Sequence, residues 1–260
     1  MLGSEMALAS RNSTPWLDAQ GLVAGYLPGI DILRGVSVEA IRGQVRCVLG
    51  PNGTGKSTLL KVLFGFLSPR QGEIRHNGNR VHSLAPHKMG SHGVAYLPQR
   101  PSIFPHLTVD VNLRLGAWRY RNEHKRVEDL VRQAYQQFPT LRERRWHVAG
   151  TLSGGQQRQL EIARSLMHDP VLFLIDEPTA GIEPRVAALI YNLIKSLAAQ
   201  NKAILLVDQN IKRALEIADY IYVMRTGRIL SEGSRGEFGE DTEALVAHWL
   251  YASGNTDRAR

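Results

Sequence analysis

Gly50, Gly55, Lys56 and Ser57 stand at the spacing G-x-x-x-x-G-K-S, and residues of those types at those places suit one task, holding the phosphates of a nucleotide. The backbone N–H groups of such a turn surround the phosphate oxygens where it opens a helix. Gly50, Pro51, Asn52, Gly53, Thr54 and Gly55 form the turn, and its glycines permit close approach and positive φ. Lys56 adds a point charge beside the β- and γ-phosphates, the Ser57 hydroxyl is placed to ligate Mg2+, and Thr58 begins the helix. Alone, this segment leaves kinases, GTPases and motor ATPases open. A second chemical pair is Asp176–Glu177, directly after the apolar run 171–175. An acid at the carboxyl end of a parallel strand can hold Mg2+, directly or through water, and the next acid can polarise an attacking water. The plain alternative is two carboxylates capping a strand at the surface. A third segment, LSGGQ at 152–156, offers Ser153 as a helix N-cap, with Gly154 and Gly155 leaving amides uncovered and Gln156 following. That is a second anion site at a helix N-terminus, and one nucleotide does not need two in one domain. The plain alternative is a glycine-capped helix with no ligand.

These segments need particular elements to position them. Val45, Cys47, Val48 and Leu49 predict a buried strand before the glycine turn, and 58–66 predicts a helix after it. The run 171–175 has the length and flanks of a strand covered on both faces. Residues 157–167 predict a helix with Leu160, Ala163, Leu166 and Met167 toward the core. An antiparallel layer is predicted up to about residue 45 and again over 72–97, with a hairpin at Asn77–Gly78. Parallel strands begin near Val45, Val171 and Ile204; a mostly helical insert spans about 100–165; and two short strands flank Thr226–Gly227. There are no internal repeats.

GPNGTGKS, Gln99 in AYLPQ, LSGGQ and LIDEP together resemble the ATP-binding-cassette ATPases, over nearly the whole chain from about Trp16 to Gly233. The resemblance implies an α/β fold with a P-loop (RecA-like) parallel sheet core, an antiparallel β-subdomain and a helical signature subdomain. It implies a single cassette domain over 16–250, with polar tails at 1–15 and 251–260, and ATP and Mg2+ as cofactors. In that family the LSGGQ of one subunit closes on the γ-phosphate held by the other, so Ser153, Gly154, Gly155 and Gln156 would act in trans. Tyr26 takes the place of the aromatic that stacks on adenine; as a plain strand tyrosine it would instead pack on the β-subdomain. Gln99 matches the glutamine that touches Mg2+ and the lytic water, making Ser57, Gln99 and Asp176 the implied metal contacts. Glu177, Lys56, Gln99 and Gln209 are the implied catalytic set. Gln209, in LLVDQN, departs from the usual phosphate-sensing histidine: an amide can donate to a phosphate oxygen but cannot gain or lose a proton. Glu183 stands where an aspartate is common in the loop crossing the dimer interface.

PQRPSIFPHLTVDVNL, FPTLRERRWHVAGTLSGGQQRQL and the glutamine of VDQN are similar to the smaller ATPase of bacterial importers for branched-chain and other hydrophobic amino acids, a branch with urea- and amide-importing relatives. Arg100, Pro101, Asp110 and Val111 depart from it, at positions expected to face the membrane subunit. The implied partners are a second cassette subunit, in a heterodimer or a homodimer, two membrane permease subunits and, indirectly, an external solute-binding protein, with no nucleic acid. The implied location is the cytoplasmic face of the bacterial inner membrane.

Composition agrees and narrows the rivals. A chain of 260 residues, 43% hydrophobic, can bury a sizeable core. No apolar run approaches the roughly 18 residues needed to span a bilayer, and the N-terminal stretch, carrying Glu5, reads as a polar tail and not a signal peptide. The single cysteine, Cys47, forms no internal disulfide, which suits the cytosol. The net charge of +8 gathers at Arg142, Arg144 and Arg145, over 119–126, and at Arg258 and Arg260. That charge suits a solvated surface or a membrane face; no aromatic-interleaved basic stripe or helix-turn-helix pattern supports nucleic acid. His76, His82, His87 and His92 match no compact zinc spacing. A soluble cassette protein of DNA repair or translation would carry a coiled-coil insertion or two cassettes, and a dead interaction module would lack Glu177.

Overall fold

Apolar runs without polar alternation, at 171–175 and 203–207, need cover on both faces, and they dictate a central sheet with layers on each side. The computed structural model describes residues 14–81 and 84–238. Along the chain, β1 (Leu17–Ala24) and β2 (Leu33–Ala40) lead to β3 (Val45–Leu49) and α1 (Lys56–Leu63). Then come β4 (Gln71–His76), β5 (Asn79–Arg80), the short α2 (Pro86–Met89) and β6 (Val94–Leu97). Helices α3 (Val109–Gly116), α4 (His124–Gln137), α5 (Pro139–Glu143) and α6 (Gly154–Leu166) run to β7 (Leu172–Asp176). The chain continues through α7 (Pro184–Ala199), β8 (Ala203–Asp208), α8 (Ile211–Ile217), β9 (Tyr220–Arg225) and β10 (Arg228–Ser234).

The six-stranded sheet has the order β10-β9-β3-β8-β7-β6, parallel throughout except for the β9–β10 hairpin. A four-stranded antiparallel sheet, β2-β1-β4-β5, lies beside it. Alternate residues of the parallel strands feed two cores. Cys47, Leu49, Phe173, Ile175, Ile204 and Leu206 pack with the helices of 109–167 and 184–218, while Val48, Leu172, Leu174, Leu205 and Val207 pack with β1, β2 and α1. Each strand therefore ends at one shared edge, where β3, β7 and β8 deliver Leu49, Asp176 and Asp208. Burial pushes the Cys47 thiol up, so it serves as a small core side chain.

The helices expected over 58–66 and 157–167 begin two and three residues earlier, at Lys56 and Gly154, and one strand joins a different sheet from the one expected. Residues 94–97 do not continue the antiparallel layer; β6 pairs parallel with β7, from Val94 opposite Leu172 to Leu97 opposite Ile175. Its two faces reach both cores, which only a strand of the central sheet can do. The N-terminal tail, apart from residues 14 and 15, and the C-terminal tail with Arg258 and Arg260 lie outside the described residues, as does His82. Among the described residues no helix is long and apolar enough to cross a membrane, and no three His, Cys, Asp or Glu side chains converge as for a metal.

His76 ends β4 buried against Trp16, ring centroids 4.9 Å apart, with neither ring nitrogen hydrogen-bonded. Burial, helped by the charge of His92, holds it down at about 4. Because the fold favours the neutral ring, its contribution is fully present above the ordinary histidine value of about 6.5 and is lost as pH falls from there toward 4, a change of about 3 kcal/mol. We expect the denaturant midpoint to fall between pH 7 and pH 4.5 and His76→Phe to flatten that decline; an equally steep decline in the variant would contradict it.

Candidate nucleotide site

The glycine turn joins β3 to α1, and each glycine meets a separate constraint. A Cβ on Gly50 would lie 2.4 Å from the Met224 carbonyl oxygen, while Gly53 and Gly55 take φ of 81° and 105°. Gly55 is the N-cap of α1 and supplies no side-chain cap, so the first amides of the helix stay open. Lys56 is buried, its Nζ donating to Gly50 O at 2.7 Å and Pro51 O at 3.0 Å and lying 3.6 Å from Glu177 Oε1. The loop's own carbonyls thus hold a cation inside it.

Facing this loop, the end of β7 brings Asp176 to Ser57, whose Oγ donates to Asp176 Oδ1 at 3.1 Å. Burial, with Glu177 adding to it, holds the Asp176 carboxyl above its ordinary range. Glu177 has φ of 40°, a left-handed backbone that costs a non-glycine residue on the order of 1 kcal/mol or more. Its N–H donates to Val207 O at 2.9 Å, and its Oε2 accepts from Gln99 Nε2 at 2.9 Å. Lys56, Glu177 and Gln99 therefore form one connected row.

A cavity of about 460 Å3 opens over that row, lined by Asn52, Gly53, Gly55, Lys56, Ser57, Thr58, Gln99, Glu177 and Ile32. The lining offers open helix amides and an ammonium. The lining also offers the Ser57 and Thr58 hydroxyls and the Glu177 carboxylate, oxygen donors that suit a hard divalent cation, so the residues fit a Mg2+–phosphate group. Ile32 had no signal in the sequence.

Other expected site residues do not line this cavity. Tyr26 follows β1 in a loop, 53% exposed, so it is no strand tyrosine packed in the β-subdomain; its hydroxyl accepts from Lys61 Nζ at 3.2 Å. Gln209 is exposed after β8, with its N–H donating to Asp208 Oδ1 at 2.8 Å. The buried Asp208, raised by that burial, also accepts from Tyr191 Oη at 2.6 Å, and Tyr191 Oη from Thr179 Oγ1 at 3.2 Å. The loop carrying Gln209 is so tied to the segment after Glu177. Glu183 stands exposed at the N-cap of α7.

Ser153 caps α6 in a capping box, accepting from Gln156 N at 3.4 Å while Gln156 Oε1 accepts from Ser153 N at 3.1 Å. The two glycines differ: a Cβ on Gly154 meets nothing within 4 Å, but one on Gly155 would lie 2.2 Å from Val186 Cγ1. Gly155 is thus required by the approach of α7, and Gly154 faces open space. None of residues 153–156 lines the cavity.

Sequence reasoning missed four polar residues: Asp208, Tyr191, Arg158 and Glu161. Arg158 and Glu161, 1% and 2% exposed, pair on the buried side of α6. Asp110, expected on the surface facing a membrane subunit, is buried too, accepting from Arg114 Nε at 2.6 Å and Tyr135 Oη at 2.8 Å; Arg100 and Val111 are exposed.

An amide-lined phosphate turn and a carboxylate edge on a central parallel sheet, with a second helix N-terminus, capped by Ser153 and opening on Gly154, set apart from them, define an ATP-binding cassette. Residues 33–180 match the ABC transporter family model, and the chain belongs to that family as an ATP-hydrolysing cassette subunit. It is 40% identical over 220 residues to a probable branched-chain amino acid transport ATP-binding protein, LivF, of Archaeoglobus fulgidus, covering 84% of this chain and 92% of the relative. It is 36% identical over 208 residues to the high-affinity branched-chain amino acid transport ATP-binding protein BraG of Pseudomonas aeruginosa, covering 80% and 88%. Among solved structures, the ADP conformation of an ATP-binding cassette of an ABC transporter superposes with a TM-score of 0.77 at 28% identity, covering 90% of this chain and 99% of that one. Cassettes of this kind bind ATP or ADP and act with membrane permease subunits.

Proposed function

We propose that this chain powers the import of branched-chain or other hydrophobic amino acids, paired with a second cassette subunit beneath two permease subunits that receive solute from an external binding protein. The observation that carries the reading is the 40% identity extending over 92% of a branched-chain amino acid transport relative. The chain's place is the cytoplasmic face of the membrane, where ATP is available.

In this reading the open amides from Gly53 to Ser57 and the Lys56 ammonium hold the β- and γ-phosphates, with Gly50, Pro51, Asn52, Thr54 and Thr58 shaping the turn. Ser57, Asp176 and Gln99 hold Mg2+, which when bound supplies charge neutralisation at the phosphate oxygens. Glu177 accepts a proton from the attacking water as its oxygen bonds to the γ-phosphorus and the bond to the β-phosphate oxygen breaks. The Gln99 amide, 2.9 Å from Glu177 Oε2, fixes that carboxylate. Tyr26 stacks on the adenine, and Gln209 donates to a phosphate oxygen. Ser153, Gly154, Gly155 and Gln156 of the partner close the site, with Glu183 at the crossing loop. The separation of 153–156 from the cavity supports this division.

Isolation of the chain in its membrane assembly tests the assignment. We expect hydrophobic permease subunits and an external binding protein that retains leucine, isoleucine or valine. Recovery with ribosomes or DNA, or a binding protein selective for urea or short amides, would contradict it.

A further inference from the structure

The loop between β1 and β2 carries Tyr26 near its start and ends on Ile32, which lines the nucleotide cavity. Its own main chain closes it twice, Ile32 N donating to Ala24 O at 2.8 Å and Ile30 N to Leu27 O at 3.1 Å. Arg70, the residue before β4, reaches into the turn from elsewhere in the sequence. Its Nη2 donates to Gly25 O at 3.2 Å, Leu27 O at 2.8 Å and Ile30 O at 3.1 Å, and its Nη1 donates to the Asp31 carboxylate. Its main-chain N donates to Val23 O at 2.7 Å. Gly25 and Leu27 are the chain neighbours of Tyr26, so the guanidinium fixes the main chain on both sides of that residue. The fit leaves no room for a side chain at Gly25, where a Cβ would lie 1.8 Å from Ile30 O and 3.0 Å from Arg70 Nη2. A second support comes from α1, where Lys61 Nζ donates to Tyr26 Oη at 3.2 Å and lies 5.5 Å from the ring centroid.

We propose that Arg70 is a positioning residue for the nucleotide base: it holds the loop 25–31 in one shape, so that Tyr26 is already set to stack on adenine when the phosphates enter the glycine turn. The proposal rests on the reading of Tyr26 given above. An exposed ring takes its direction from its backbone, and a loop held beforehand spares the ordering cost of binding. The Arg70–Asp31 pair, 34% and 41% exposed, adds little to overall stability by itself. The three carbonyls give the guanidinium its role, because a planar fork can serve them and a carboxylate together and an ammonium cannot span them. Lys56 is held by Gly50 O and Pro51 O instead, so the grip on phosphate is independent of Arg70.

Calorimetric titration of the full chain with ADP and with pyrophosphate, each with Mg2+, separates base from phosphate. Arg70→Lys keeps the charge beside Asp31 and loses the fork. We expect it to weaken ADP binding at least about fivefold, the lower end of what stacking a base on an aromatic ring contributes, and to leave pyrophosphate binding within about twofold. Gly25→Ala displaces the loop from Arg70 without touching its charge and should show the same split; it carries the test if Arg70→Lys does not fold. Tyr26→Ala should match them. Arg70→Lys added to Tyr26→Ala should change ADP affinity by less than about twofold, since a residue acting through Tyr26 then has nothing left to position. Unchanged ADP affinity in Arg70→Lys, equal losses for ADP and pyrophosphate, or losses that multiply in the double variant would overturn the proposal. If Tyr26→Ala weakens ADP binding while Arg70→Lys and Gly25→Ala do not, only the positioning role falls. If Tyr26→Ala leaves ADP affinity unchanged, the reading of Tyr26 falls, and the positioning role with it.

Discussion

Glu177→Gln is expected to lower ATP turnover by about a hundredfold or more while leaving ATP binding intact, because a positioned general base contributes on that order. The substitution preserves shape at a position whose φ of 40° and N–H bond to Val207 O do not depend on the charge. It removes the proton acceptor and the partner of the Lys56 ammonium at 3.6 Å, but Lys56 keeps Gly50 O and Pro51 O. Unhydrolysed ATP should then hold two chains together, so light scattering should report a pair in ATP and single chains without it. Turnover near that of the unaltered chain would show that Asp176, or another group, activates the water.

The second large effect belongs to the signature helix. Gly154→Asp should leave the melting temperature unchanged or slightly raised, since a Cβ there meets nothing within 4 Å and a carboxylate suits a helix N-terminus. It should nevertheless lower turnover by about a hundredfold, because it sets a negative charge where the partner's γ-phosphate must sit. Gly155→Ala should behave oppositely, losing stability first, its Cβ driven to 2.2 Å from Val186 Cγ1. Equal effects of both substitutions on melting and on turnover would contradict the separation.

The central strands and the phosphate turn were legible because their signals are local: an apolar run needing two-sided cover at 171–175, and glycines at a fixed spacing before Lys56. The strand at 94–97 was not, since four apolar residues after a hairpin suit either sheet and only pairing with 172–175 decides. Arg158, Glu161 and Asp110 were illegible for another reason. Charged side chains on helices are solvated by default, and only tertiary contacts from Pro98, Gln99 and Pro178, or from Tyr135, reveal the buried ones. The glycines of the signature showed the converse: type and spacing marked both as phosphate-facing, yet packing against Val186 claims one of them.

The central claim is that each ATP is held between the glycine turn of one cassette and the signature helix of another. Two copies of the chain joined by a flexible linker test it, tethering having made pairing intramolecular. With Lys56→Ala in one copy and Gly154→Asp in the other, one shared site remains whole, and about half of the unaltered tandem's turnover is expected. With both substitutions in the same copy, neither shared site is whole, and turnover should vanish. Activity in the second arrangement and none in the first would contradict the account, showing that each chain completes its own site.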